Sequence, residues 1–194
     1  MIKGILHRKE RLIITAIEVI DELGIQALST REIARRQGIS EAALFRHFKS
    51  KNELLIAVLD HFSKFDNDIF QSAKLKNLSP KESIIYFITK TVEYYENYPA
   101  ITSIMQLFDV LRYDVELCDK VRQILDNQTA IIRDLVEGAK NEGEIRADTD
   151  CTILAHIIMG SFREICLKWR FANQEFSLRK ETLSALEMIL KAFQ

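Results

Sequence analysis

Residues 29–54 read STREIARRQGISEAALFRHFKSKNEL, and this stretch places three helix starts and two breaks so close together that only three abutting helices accommodate them. Ser29 with Glu32 three residues on is a capping box, so a helix is expected from Thr30 or Arg31, carrying Ile33 and Ala34 inward. It stops at Gly38. Gly38-Ile39-Ser40 supplies a sharp turn, and Ser40 is a good N-cap for a second helix, expected over Glu41 to Phe48. Ser50-Lys51-Asn52-Glu53 is another capping box and opens the third. Leu44 and Phe48, one turn apart, face the core with Ile39, which leaves Glu41, Ala42, Ala43 and Arg46 facing outward. Two short helices on a glycine-bearing turn make a helix-turn-helix, in which the second helix lies in the major groove of DNA.

Overall charge argues the other way until its distribution is considered. The 194-residue chain carries 27 Lys and Arg against 28 Asp and Glu, a net charge of −1. Residues 1–51 hold ten of the cations and six of the anions, a net charge of +4, and the rest of the chain is −5. A basic head on an acidic body concentrates phosphate affinity at one end and discourages unspecific adhesion elsewhere.

Ser29, Ile33-Ala34, Gly38-Ile39-Ser40, Leu44-Phe45-Arg46-His47-Phe48, Lys51 and Leu54 together resemble the head of the tetracycline-repressor (TetR) family of transcriptional regulators. The match is dense and ungapped over roughly the first quarter of the chain. Phe45 departs from the pattern: it stands where the family usually has a tyrosine, so a phosphate-contacting hydroxyl is missing. The resemblance implies that His47 and Lys51 hold the DNA backbone. From the residues themselves, Thr30 can give its hydroxyl to a phosphate at a helix start, and Arg31 beside it can reach a base edge. Glu41 can accept from cytosine N4, and Ala42 and Ala43 can pack on a thymine methyl, with Ser40 at the start of the same helix. Arg46 can read guanine or bind phosphate. Arg35 and Arg36 are weaker candidates that can simply pair with Glu32.

The remaining chain reads as helix throughout. Its 47% hydrophobic content supports a substantial core, while six Gly and two Pro leave little loop, so an all-α protein of about nine helices is expected. A head over residues 1–51 is followed by a body over 52–194. The first helix, Arg8 to Leu23, places Ile13, Ala16, Ile17 and Ile20 on one face and ends at Gly24 as a left-handed cap. Lys3, His7, Arg8 and Lys9 form either a solvated basic tail or a DNA-contacting arm. The helix opened at Ser50 is expected to reach Ala73 and so to join head to body. Further helices follow from Pro80 to Tyr95, from Pro99 through Leu111, from Val115 to Lys140, from Thr149 to Phe171 under an Asp148 cap, and from Ser177 to Phe193.

Ile153 to Gly160 is apolar nearly all round and needs cover on both faces, which one chain does not supply. Leu183, Leu186, Leu190 and Phe193 keep the spacing of a helix–helix seam. In the resembling family the last two helices pair with their symmetry mates, so the resemblance implies a homodimer through these positions. Two heads on one two-fold axis imply a palindromic double-stranded operator, read by helices about 34 Å apart. The body is rich in large apolar side chains, and Phe62, Phe65, Phe87, Met105, Phe108, His156, Met159 and Phe162 are the expected lining of a pocket for an apolar or amphipathic small-molecule effector. Among the aromatics His61, Gln106, Asn127 and His156 are the polar groups that can orient such a ligand.

Other function classes find no support. HExxH, GxSxG, a P-loop and paired carboxylates in an apolar setting are all missing, and His61 and His156 stand alone, so neither an enzyme nor a catalytic residue is expected. Cys118, Cys151 and Cys166 are widely spaced without a CxxC, which predicts no metal site, disulfide framework or cofactor. No apolar run approaches the ~18 residues of a membrane span, so no membrane partner and a cytoplasmic location are expected. The alternative to a ligand-released regulator, probing no effector, is an architectural or division-linked DNA-binding protein.

Overall fold

The computed structural model describes residues 7–194; Lys3, one of the basic residues expected in an N-terminal arm, lies outside them. The fold is all-α, and no strand occurs among the described residues. Nine α-helices follow in order among the described residues: α1 Arg8–Leu23, α2 Thr30–Gln37, α3 Glu41–Phe45, α4 Lys51–Leu75, α5 Pro80–Asn97, α6 Phe108–Leu111, α7 Val115–Asn141, α8 Cys151–Phe171 and α9 Leu178–Ala192. Two 3-10 segments, Ile25–Ala27 and Pro99–Leu107, complete the chain.

These elements form two compact units. The first takes the chain up to Lys64 together with Tyr98–Gln123, and the second takes Phe65–Asn97 and Ile124–Gln194. In the first, Leu12, Ala16, Ile17 and Ile20 of α1 are buried, as are Ile33 and Ala34 of α2, Leu44 of α3 and Leu54, Val58 and Leu59 of α4. The 3-10 segment Pro99–Leu107 packs on α1 and adds Ile101 and Ile104 to this core. In the second, Ile84, Phe87, Ile88 and Val92 of α5 are buried together with Ile132 and Val136 of α7, Leu154 and Ile158 of α8, and Leu186 and Leu190 of α9. Gly138 lets α7 approach the start of α5, for a Cβ there would stand 3.1 Å from the Pro80 ring.

Capping explains where the elements begin. Ser79 Oγ accepts from Glu82 N and Glu82 Oε2 accepts from Ser79 N, the reciprocal box expected at the start of α5. Several boundaries differ from the sequence reading. Gly24 ends α1 with φ 78° and ψ 168°, an extended conformation open to glycine rather than the left-handed helical one. The segment after Pro99 is a 3-10 helix over nine residues because Thr102 and Ser103 turn their hydroxyls onto the carbonyls of Pro99 and Ala100, three residues back, at 2.7 Å each. The cap of α8 is Asp150 rather than Asp148, with Oδ1 accepting from Thr152 N and Ile153 N. No helix among the described residues is long and apolar enough to cross a membrane.

Candidate nucleic-acid interface

The turn between α2 and α3 takes the form its residues dictate. Gly38 lies in the left-handed region at φ 63° and ψ 35°, its N–H meets Arg35 O, and Ile39 N returns to Ala34 O at 3.0 Å. Ser29 Oγ accepts from Glu32 N and Ser40 Oγ from Ala43 N, both at 3.2 Å, so each helix of the pair is capped by the expected serine. Helix α3 stops at Phe45, short of Phe48, because the chain is drawn into the next cap. His47 N bonds back to Leu44 O at 2.8 Å, while Glu53 accepts from Lys49 N at 2.6 Å and Ser50 Oγ from Glu53 N at 3.0 Å.

Side chains on this surface separate into those committed to the protein and those left open. Glu32 holds Arg35 through two bonds of 2.8 and 2.7 Å and Arg36 through one of 2.8 Å, and Arg36 also reaches Glu22 at 2.8 Å. The two guanidiniums keep the Glu32 carboxyl down at about 2. Arg35 and Arg36 thus serve the head's own surface. Arg31, Ser40, Glu41, Ala42, Phe45, Arg46 and Lys51 are exposed, and Thr30 and His47 are half-buried. Thr30 Oγ1 donates to Glu41 Oε2 at 2.8 Å, a bond that ties the start of α2 to the start of α3 across the turn. Lys51 Nζ rests 3.5 Å from Ile25 O. Ala43 is a correction: at 8% exposure it faces the interior, because the buried stripe of α3 is wide enough to take it beside Leu44.

The body residues expected around a ligand fall into both units. In the first, Phe62 is buried and meets half-buried Phe108 edge-on at 5.8 Å, with Met105 half-buried nearby in sequence. In the second, Phe87 and Met159 are buried, and a row of rings runs Phe65–Tyr94 at 4.6 Å, Tyr94–Tyr95 at 6.0 Å and Tyr95–Phe162 at 5.7 Å. His156 is exposed on α8, as are Gln106 and Asn127 on their own elements, so none of these three is an inward polar group. A cluster of polar groups that the sequence reading missed is formed by Asp66, Gln128 and half-buried Arg163. Asp66 and Gln128 are buried, with Gln128 Nε2 donating to Asp66 Oδ2 at 3.0 Å and Arg163 donating to Gln128 Oε1 at 3.1 Å. The signal was present, since Asp66 falls one helical turn after Phe62 and Gln128 one turn after Ile124, each on an apolar stripe.

The α9 seam is also placed. Leu186 and Leu190 are buried within their own chain, where α9 packs on α5 and α8; Leu183 and Phe193 are half-buried, and the Arg146 guanidinium lies 5.6 Å above the Phe193 ring. Of the large apolar side chains left uncovered, Ile153, Ile157 and Phe171 lie on α8 and Met188 on α9. His156 and Gly160 are exposed on the same helix as the two isoleucines.

Comparison with known proteins agrees with this anatomy. The family model for bacterial regulatory proteins of the tetR family matches residues 12–58, and that for the C-terminal region of YsiA-like proteins matches residues 59–192. The fatty acid metabolism regulator protein of Bacillus subtilis (strain 168) is 23% identical over 185 residues, covering 93% of this chain and 92% of that protein. The nucleoid occlusion factor SlmA of Haemophilus ducreyi is 23% identical over 125 residues, 64% of this chain and 62% of that protein. The crystal structure of the transcriptional regulator FadR from Bacillus subtilis in complex with stearoyl-CoA superimposes with a TM-score of 0.84 at 22% identity, covering 95% of this chain and 99% of that one, which establishes a shared fold. With a DNA-reading head and a matched body spanning most of its length, the chain belongs to the tetR family of bacterial regulatory proteins.

Proposed function

We propose that this regulator is a cytoplasmic repressor that binds a palindromic operator as a homodimer and is released from it by an amphipathic small molecule with an acyl chain. Residues 1–51 read the DNA, and residues 52–194 hold the effector and the dimer contact. The observation that carries the effector reading is the row of rings Phe65–Tyr94–Tyr95–Phe162, drawn from α4, α5 and α8 of one unit. Rings brought together from three helices offer a long apolar wall of the kind that small-molecule sites use. The stearoyl-CoA held by the relative of the same fold supports an acyl ligand. To act, the ligand must favour the released state: a tenfold loss of operator affinity needs about 1.4 kcal/mol of differential binding.

The experiment is to select an operator from a random duplex pool with the full-length protein, then titrate the complex with stearoyl-CoA and a panel of lipophiles. Release by at least tenfold is the expected result. The match to a nucleoid occlusion factor favours a second reading, a DNA binder without an effector. Operator binding indifferent to every ligand tested would establish that reading instead.

Contacts to the backbone and to bases are expected to separate. Lys51→Ala and His47→Ala should weaken binding to operator and scrambled duplexes alike, and Lys51→Ala should flatten the salt slope by roughly one unit. Glu41→Ala should alter sequence preference, because it removes the acceptor and frees the Thr30 hydroxyl now bonded to it. A salt titration on both duplexes checks this, and equal loss of discrimination in Lys51→Ala would contradict it. Phe45→Tyr should tighten binding to both duplexes, since Phe45 is 46% exposed and a hydroxyl there would reach a phosphate.

A further inference from the structure

Asp66, Gln128 and Arg163 come from α4, α7 and α8 and meet inside the second unit. Asp66 and Gln128 are 4% and 6% exposed. The Gln128 amide spans the other two: its nitrogen donates to the carboxylate and its oxygen accepts from the guanidinium. As a device for stability this is poor. A carboxylate and a guanidinium taken out of water offset their desolvation best in direct bidentate contact, and here an amide keeps them apart. Gln128 takes one N–H of Arg163, and a guanidinium has five. The cluster therefore retains donors on Arg163 and acceptor capacity on Asp66, beside the rings of Phe65, Tyr95 and Phe162, which adjoin it in sequence or in space.

We propose that this cluster is the headgroup subsite of the effector. Arg163 donates to an oxygen of the ligand's carboxyl or thioester head, the acyl chain lies along Phe65, Tyr95 and Phe162, and an acid-headed ligand enters together with one proton, shared between its carboxyl and Asp66. The inference rests on the effector reading above and specifies its chemistry. Two carboxylates sharing a buried site do not both ionise, so the pair keeps one proton and its remaining negative charge is balanced by Arg163. Asp66 is the group poised to take that proton. Burial pushes its carboxyl up to about 6, against the lowering effects of the Gln128 hydrogen bond and the Arg163 charge. The other titratable groups around the Tyr95 hydroxyl do not compete near neutral pH. Tyr94 and Cys166 are each pushed up to about 12 by burial, Tyr95 is raised well above its ordinary value, and Arg163, though lowered by burial, stays cationic. A thioester or ester head offers the same oxygen without the second charge and binds without a proton.

The test is calorimetry of the full-length protein with decanoate and with methyl decanoate, each in two buffers of different ionisation enthalpy between pH 6.5 and 8.5. Decanoate should bind with the uptake of close to one proton and lose about tenfold in affinity per pH unit across this range. Methyl decanoate should take up none and show no pH dependence. Asp66→Asn should abolish the uptake and flatten the decanoate profile, and Arg163→Gln should weaken both ligands by tenfold or more. The proton count on the unaltered protein tests the proposal independently of whether either variant folds. Decanoate bound without proton uptake, while stearoyl-CoA still releases the operator, would overturn the subsite and leave the effector reading standing. Failure of every acyl ligand to bind, with no release of the operator, would overturn both.

Discussion

A glutamate at Ile157 is expected to convert the regulator to a monomer at micromolar concentration and to lower operator affinity by at least about a hundredfold. Leu186 and Leu190 of α9 are covered inside their own chain, whereas α8 offers a second copy an exposed apolar face, with Ile153 and Ile157 54% and 40% exposed one turn apart. Gly160 continues the exposed face with open space where a Cβ would stand, which permits close approach of another helix. Met188 of α9 adds a flexible apolar side chain at 74% exposure. A two-fold contact is isologous, so one substitution near the axis places two carboxylates in the same interface, each desolvated and each repelling the other. The effect on DNA follows from linkage: two joined heads bind a palindrome with an advantage of roughly 10²–10⁴ over one. Sedimentation and operator titration of Ile157→Glu check the claim, and an intact dimer would assign the interface elsewhere. Leu186→Ala makes the contrast. Leu186 is 3% exposed within the chain, so its truncation should cost about 2–5 kcal/mol of folding stability.

The head was legible in the sequence because its signals are local. Ser29, Gly38, Ser40 and Ser50 act through bonds within three or four residues, and the structure forms the serine caps and the left-handed glycine where the spacing put them. What escaped was settled by packing. Ala43 turns inward because α3 buries a wider stripe than one apolar pair suggests. The segment Tyr98–Gln123 groups with the head in space although it is distant from it in the chain, and no periodicity reports such a pairing. The α9 seam was visible as a stripe, but a stripe does not say whether its partner is α5 and α8 of the same chain or a second copy. In the body, the apolar stripes were visible but not which polar residue breaks them: Asn127 is exposed and its neighbour Gln128 is buried, a rotation of about 100° on a helix. Gln128 and Asp66 were distinguishable only as polar residues breaking apolar stripes, and their mutual bond joins positions 62 residues apart.

Asp66→Asn is expected to stabilise the protein at pH 7.5 by as much as about 3 kcal/mol and to leave its stability at pH 4 nearly unchanged. The Asp66 carboxyl is held up at about 6, mainly by burial, against an ordinary value of 3.8. A raised acid binds its proton more tightly in the folded chain than in the unfolded one. Its ionisation therefore adds nothing unfavourable well below pH 3.8, where both states are protonated, adds little at pH 4, and destabilises the fold progressively up to about pH 6, above which the full penalty persists. Each pKa unit corresponds to about 1.36 kcal/mol, which sets the size of the effect. The Arg163 charge and the Gln128 hydrogen bond offset burial at that carboxyl only in part, so their attraction does not cancel the penalty. Asparagine reproduces the neutral acid and keeps an oxygen for the Gln128 N–H. Thermal unfolding at fixed protein concentration, at pH 4 and pH 7.5, reads the difference, with a rise of roughly 6–10 °C for the variant at the higher pH. A variant less stable than the parent at both values would show that the carboxylate itself holds α4 to α7. A gain confined to the higher pH means that the regulator retains a buried acid at a cost to its own stability, which is what a group kept for a ligand's proton entails.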